Sequence, residues 1–381
     1  MKKFFFFAAL AAVALASCSS DETVAENQAA QDANAISFRA LNDGVTRATA
    51  KTAWATNDQI DVFAEYKVGD AAATKYFQAN FKKQDAGTFI PATAGTQYYW
   101  PVMTSNKMIF TAFYDVAQNT TTAGTLTEAY SPATAAAEQK DILFARHEVS
   151  GAKESPVLLN FRHMLSQIDV QVKNSNANLY VNITGVKIGF VSQSGTFNGS
   201  DITTDTKNSG KIAQSKWTPT AFGEITNAAK CAKYYEVTGL SKAITGAQAD
   251  YSAIGTFSTW MLVPQSQTAF SAYTAAKSGG APSDAPDLNG AYIALQMQIK
   301  NGTSSGATIV DTQWCYWPVA IAWNPGYKYT YQIDVAGGGY QPTDQGNDGT
   351  TPDRVLDSPI EISASCTIDD WDAADATPVA M

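Results

Sequence analysis

Apolar and polar residues alternate along most of this chain with a period of two, not 3.6, so the pattern predicts strands. Ile36, Phe38 and Ala40 alternate with Ser37 and Arg39, and Ile60, Val62 and Ala64 alternate with Asp61, Phe63 and Glu65. Met108 to Tyr114 is apolar at both parities, as a strand covered on both faces would be. Between Val157 and Val172 the parity changes: Leu159, Phe161, His163 and Leu165 share one, while Ile168, Val170 and Val172 share the other. A strand cannot change parity without a bulge or a break, which the sequence puts near Ser166-Gln167. Further on, Leu179, Val181 and Ile183 alternate, as do Val186, Ile188 and Phe190, and then Ile293, Leu295, Met297 and Ile299. Tyr327, Tyr329, Tyr331, Ile333 and Val335 form the cleanest alternating run. Residues 337–353 are rich in Gly, Asp, Gln and Pro and predict a long loop. A terminal strand is expected over 359–368, with Ile360, Ile362, Ala364, Cys366 and Ile368 on one face. No stretch carries an amphipathic helical pattern over three turns. The fold class is therefore all-β, built as antiparallel β-sandwiches.

The first residues follow a different rule. Lys2 and Lys3 precede an uninterrupted apolar run, Phe4 to Ala16, of 13 residues. That is a signal-peptide length, short of the ~20 residues a spanning helix needs. The run closes on Leu15-Ala16-Ser17-Cys18, which resembles a lipobox; the Cys18 thiol is the nucleophile that would take a diacylglycerol. Residues 1–17 are thus expected as a lipoprotein signal peptide and 18–34 as a polar tether. The start of that tether, Ser19-Ser20-Asp21-Glu22, resembles the signal that sends lipoproteins of Bacteroidota to the outer face of the outer membrane. A diacylglycerol with an amide-linked acyl chain exceeds the two lipid signals that stable anchoring requires.

Composition constrains the chain beyond the tether. Hydrophobic residues make up 45% of the chain and aromatic ones 11%, enough for real cores, and its length suits two domains. The expected division is 35–174 and 175–381, with Asn174 to Asn178 as the polar turn between them. Charged residues are only 16%, and the net charge of -9 offers nothing to neutralise phosphates, which argues against nucleic acid. Beyond Cys18 the cysteines are Cys231, Cys315 and Cys366, an odd number that permits at most one internal disulfide.

Chemistry is sparse. The two histidines, His147 and His163, have no Cys or second His at metal spacing, and His163 lies on the apolar parity of its strand, where a satisfied core histidine is expected. Gly302 to Gly306 matches G-x-S-x-G, but it joins two strand-like runs and no histidine comes after it, so a hairpin loop is the better reading. Asp344 to Gly349 lacks the spacing and closing Glu of an EF-hand. Asp369-Asp370-Trp371-Asp372 reads as an acidic strand end rather than a carboxylate pair. No catalytic residue, cofactor or metal is expected, and the chain is not expected to be an enzyme.

Several stretches, weak singly and more specific in their order, resemble the fimbrillin-like proteins, subunits of type V pili in Bacteroidota. They are Val45-Thr46-Arg47-Ala48, Asp58-Gln59-Ile60-Asp61-Val62-Phe63, Tyr99-Trp100-Pro101 and Asp141-Ile142-Leu143-Phe144-Ala145. Leu159-Asn160-Phe161-Arg162-His163, Met261-Leu262-Val263-Pro264-Gln265 and Trp323-Asn324-Pro325-Gly326 continue the series. The resemblance implies two transthyretin-like β-sandwich domains and a maturation step. An arginine-specific protease would cut after Arg47, leaving Ala48 as the new N-terminus and taking the strand around Ile36 to Ala40 with the released piece. The opened groove would then accept a strand from another fimbrial subunit, for which Pro359 to Ile368 is the donor candidate. That strand could equally complete its own domain. The implied role is a structural or adhesive subunit of a surface fimbrium. Alternatives are a membrane-retained anchor or accessory subunit, and a surface glycan-binding lipoprotein that uses its Trp and Tyr residues for stacking. The implied partners are other fimbrial subunits, the outer membrane through the lipid, and a host or bacterial receptor whose identity is unknown.

Overall fold

A computed structural model describes residues 34–41, 53–202, 211–221, 233–257, 259–269, 290–300, 306, 309–345, 352–354, 364–370 and 376–379. Cys18, Arg47, Ala48, Cys231, Ile360 and Ile362 lie outside these residues. The protein is all-β, and among the described residues the helical elements are three short 3-10 turns.

The first half forms one eight-stranded sheet. Its strands are β1 (Phe38–Leu41), β2 (Gln59–Val68), β3 (Thr74–Lys83), β4 (Phe89–Pro91), β5 (Asn106–Tyr114), β6 (Leu143–Ser150), β7 (Val157–Asn160) and β8 (Arg162–His163). They are ordered β7-β1-β4-β3-β2-β5-β6-β8. The two strands at the ends of this order, β7 and β8, are separated by Phe161 alone, so the sheet must curl until its ends meet. The curl encloses one core, in which Ile60, Val62, Ala64, Phe81, Met108 and Phe110 are fully buried. The alternation read from β2 is the alternation the fold uses.

The second half begins with β9 (Ser166–Lys173), β10 (Tyr180–Gly189), β11 (Gly195–Phe197) and β12 (Trp217–Pro219). It continues with β13 (Tyr234–Thr245), β14 (Ser252–Ala253), β15 (Trp260–Leu262), β16 (Ser266–Gln267), β17 (Tyr292–Lys300) and β18 (Ile309–Pro318). The remaining strands are β19 (Ile321–Ala322), β20 (Tyr327–Asp334), β21 (Tyr340–Gln345), β22 (Pro352–Arg354), β23 (Ala364–Asp370) and β24 (Ala376–Val379). One sheet runs β13-β10-β17-β18-β21-β22 and another β14-β9-β20-β23-β24, with β15 also paired to β9. Val181, Ile183, Val186 and Leu295 from the first meet Ile168, Val170, Tyr331 and Ile333 from the second in a shared core. This is a β-sandwich, each inner face supplied by every second residue of its strands.

Two expectations shift. The parity break falls at Met164-Leu165, between β8 and β9, about two residues before the expected point. Leu159 and Leu165 are buried on one side of it and Ile168, Val170 and Val172 on the other. β9 pairs with β14, β15 and β20, so the change of sheet precedes Asn174. The loop expected over 337–353 is corrected: it contains β21 and β22, paired at the margin of the sheet beside β18. An edge strand needs backbone pairing on one side and no apolar face, so a polar sequence can occupy it. Of the terminal strand expected over 359–368, residues 364–368 fall in β23, Ala364–Asp370, which β24 follows, and residues 359–363 lie outside the described set.

A third cluster joins the halves. Phe113 of β5 and Ile142 and Phe144 beside or in β6 pack with Met164, Leu165, Phe197, Trp217, Met261 and Val263. Ring centroids run in a chain, Phe113 to Phe144 at 5.1 Å, Phe144 to Phe197 at 5.2 Å and Phe197 to Trp217 at 5.4 Å. The first two pairs are edge-on, and such pairs add about 0.5–1.5 kcal/mol each beyond their burial. The Trp217 indole N–H donates to Met164 O at 2.8 Å. Gly124 has φ +79°, and a Cβ there would meet Ser200 N at 2.8 Å, so this crossing of the loop after β5 over residues 199–200 needs glycine.

Candidate assembly site

Residues 34–41 occupy a slot in the first sheet. β1 runs parallel to β7, with Phe38 opposite Val157 and Leu41 opposite Asn160, and meets β4 at the single pair Phe38 and Phe89. Its approach is held by backbone bonds: Ile36 N donates to Tyr98 O at 2.7 Å, and Trp100 N donates to Asn34 O at 3.0 Å. Across the slot Val157 N donates to Ser37 O at 2.9 Å. The Lys153 ammonium donates to the Asn34 side-chain oxygen.

Alternation divides only part of this segment as the sequence predicts, because Ser37, expected to face outward, is buried as well. Ile36 and Phe38 are buried and Arg39 is exposed, while Ala40 is half-buried. Phe38 stands edge-on to Phe81 at 4.7 Å and to Phe110 at 5.2 Å. Full burial of such a side chain stabilises by about 1.5–3 kcal/mol, before the ring contacts are counted. The segment is therefore anchored chiefly by two apolar seats and a short backbone ladder. Without it, β4 and β7 would present unpaired backbone edges above an apolar trough, a surface that seeks another strand.

The donor candidates fall in two places. Ile360 and Ile362 lie outside the described residues, whereas Ala364, Cys366 and Ile368 stand on β23, opposite Ile333, Tyr331 and Tyr329 of β20. β23 thus completes a sheet of its own chain here, with β24 on its other side. Cys366 is buried in the sandwich core, as is Cys315.

The histidines are paired with acids. His163 Nδ1 lies 2.9 Å from an Asp141 carboxylate oxygen, and His147 Nε2 lies 3.0 Å from Glu154. Among the described residues no three of His, Cys, Asp and Glu come together as a metal site. Of the G-x-S-x-G stretch, Gly302 to Ser305 lie outside the described residues; the strands on either side, β17 and β18, pair antiparallel from Tyr292 with Pro318 to Lys300 with Ile309. On the outer face of that sheet the Lys187 ammonium stands 4.1 Å from the Trp314 ring and 4.3 Å from Tyr234, so these two aromatics are engaged by their own chain. Burial lowers the Lys187 pKa, and Glu236 opposes that shift. No sequence signal pointed to this cage, because its parts come from three strands.

Comparison with known proteins supplies the identity that the slot alone does not. The fimbrillin-like family model matches residues 46–371, and the chain belongs to that family. No curated protein matches it. Among solved structures it is similar to a fimbrilin from Porphyromonas gingivalis, at 11% identity and a TM-score of 0.44 over 90% of this chain and 98% of the other. It is also similar to a fimbrial assembly protein from Parabacteroides distasonis, at 10% identity and a TM-score of 0.39 over 91% and 98%. A candidate cell adhesion protein from Bacteroides ovatus shares 16% identity, with a TM-score of 0.41 over 90% and 99%. The family match extends from the residue before Arg47 to the strand region that ends near Trp371.

Proposed function

We propose that this chain is a structural subunit of a surface fimbrium, exported as a lipoprotein through Cys18, cut after Arg47, and polymerised by exchange of a strand. Membership of the fimbrillin-like family supports the role. The observation that carries the mechanism is the seating of β1, inserted between β4 and β7 and joined to β2 through a stretch that contains Arg47. Cutting there leaves residues 34–41 held by two apolar seats and a short ladder, so an incoming strand of the same alternation can take their place. Ile360-Glu361-Ile362-Ser363-Ala364 repeats the order of Ile36-Ser37-Phe38-Arg39-Ala40 in its apolar positions. The two domains would each be transthyretin-like sandwiches, and the outer membrane would be the site of display.

Native mass spectrometry on the chain cut after Arg47 tests this with a synthetic peptide of residues 358–370. The expected species is residues 48–381 plus one peptide, with the 18–47 fragment lost, and an Ile362→Asp peptide is expected to be inert. Retention of the fragment with no peptide uptake would count against strand exchange.

A second reading has one observation in its favour. With β1 seated and β23 held by seven pairs to β20, the chain as folded is complete in itself. A subunit that stays in this state and keeps its lipid would act as the membrane-retained anchor of the fimbrium.

A further inference from the structure

Large apolar side chains that remain exposed are concentrated at one place. Among the described residues five exceed a third exposure, and four of them are Val68 (54%), Tyr76 (42%), Tyr99 (46%) and Val102 (74%). They form one surface. Tyr76 Oη donates to Tyr99 O at 2.8 Å, and Tyr66 Oη donates to Val102 O at 3.1 Å. The Tyr66 and Tyr76 rings lie 6.2 Å apart, and Asn106, which pairs with Val68, donates to Val102 O at 3.0 Å.

Several features fix this surface in place. Tyr76 is the extra residue of a bulge, since Ala64 pairs with Phe77 and Glu65 with Lys75. A bulge turns a side chain away from where the strand's alternation would send it. The hydroxyl bonds of Tyr66 and Tyr76 hold the rings before any partner arrives, which lowers the ordering entropy of binding. A contiguous exposed apolar surface in a soluble domain marks an interaction site more often than chance exposure.

The patch also adjoins the mouth of the slot. Ala35 bridges Tyr99, and Asn34 and Ile36 bond to Trp100 and Tyr98, so the segment that displays Tyr99 is the one that pairs with the start of the seated strand. β1 runs parallel to β7, so a strand entering in the same direction has its N-terminal end at the Asn34 side. The donor candidate lies C-terminal to the body of its own subunit. Its body therefore comes to rest at that side, over Tyr99 and Val102.

From this placement we infer that Val68, Tyr76, Tyr99 and Val102 form the docking face for the body of a second copy of this chain, engaged once that copy's strand fills the slot. This rests on the strand-exchange reading above. It adds a contact that the exchanged strand does not make, and it sets the direction in which that strand enters. Aromatic residues in such positions carry a large share of interface energy.

Photo-cross-linking of the full chain in its native cell separates the two ideas. One variant carries a photoreactive phenylalanine at Tyr99; a second carries it at Leu158, which flanks the slot beside Arg39. Both probes are expected to give ladders of self-linked copies, and Val102→Glu is expected to cut the Tyr99 ladder about tenfold while leaving the Leu158 ladder within twofold. A ladder from Leu158 with none from Tyr99, or a Tyr99 adduct to a different protein, overturns the docking face and leaves strand exchange standing. No ladder from either probe removes strand exchange and the docking face together. A Val102→Glu variant that loses both ladders equally also overturns the inference, because the patch would then be acting on the slot itself. Val102 is mostly exposed, so that substitution leaves the fold intact.

Discussion

Each half of this molecule receives a strand from one end of the chain, and the two are held in different ways. β23 is matched residue by residue to β20, from Ala364 opposite Ile333 to Asp370 opposite Tyr327. β1 has four pairs to β7 and one to β4, and depends on Ile36 and Phe38 sinking into the core. A long ladder is lost rung by rung, whereas a short strand with two apolar anchors leaves once the anchors can be replaced. Under the proposed exchange the N-terminal strand is thus the one to be displaced, and its anchors specify what may replace it.

Phe38→Ala is the strongest way to break that contrast. In the uncut chain it should lower the stability of the first half by about 3–5 kcal/mol, read as a shifted urea midpoint. An effect below about 1 kcal/mol would mean that the ladder, not the seat, holds β1. In the second half the corresponding change is Tyr331→Phe. The Trp323 indole N–H donates to Tyr331 Oη at 3.0 Å inside the core, and removing that oxygen orphans a buried donor. A loss of about 1–3 kcal/mol is expected, with strand exchange in the first half unchanged.

Alkaline pH should loosen the seam between the halves by less. Burial, helped by Asp115 and Asp141, raises the Tyr130 pKa from 10.0 to about 12. The native state then holds this proton more tightly than the unfolded one, so stability is full below about pH 10 and falls as pH rises toward 12. Thermal melts at pH 8 and 11 should show that loss, on the order of 1 kcal/mol from this group, and Tyr130→Phe should reduce it. A variant that melts with the same pH dependence as the parent would remove Tyr130 from the account. The smallest effect belongs to the outward face of β1: Arg39→Ala, at an exposed side chain, should change stability by no more than about 0.5 kcal/mol.

Much of this is legible in the sequence. Alternation marked β2, β10, β17 and β20 because one face of each carries the apolar side chains of a core, and period two records that directly. The same reasoning placed Ile36 and Phe38 inward and Arg39 outward, as observed. What it missed lacks such a signal. β21 and β22 lie at a sheet margin, where backbone pairing suffices, and their composition reads as loop. The change of sheet at Met164-Leu165 was visible as a change of parity, which the sequence put about two residues further on. The patch of Tyr76, Tyr99 and Val102 depends on a bulge and on hydroxyl bonds between distant segments, neither of which is written in the local pattern.

The most direct test is the intact mass and N-terminal sequence of the subunit recovered from surface filaments of its native cell. The account predicts a chain that begins at Ala48 and carries no lipid, so that residues 34–41 are gone and the slot is free for another strand. A filament subunit that begins at acylated Cys18, with residues 34–41 still attached, would contradict it.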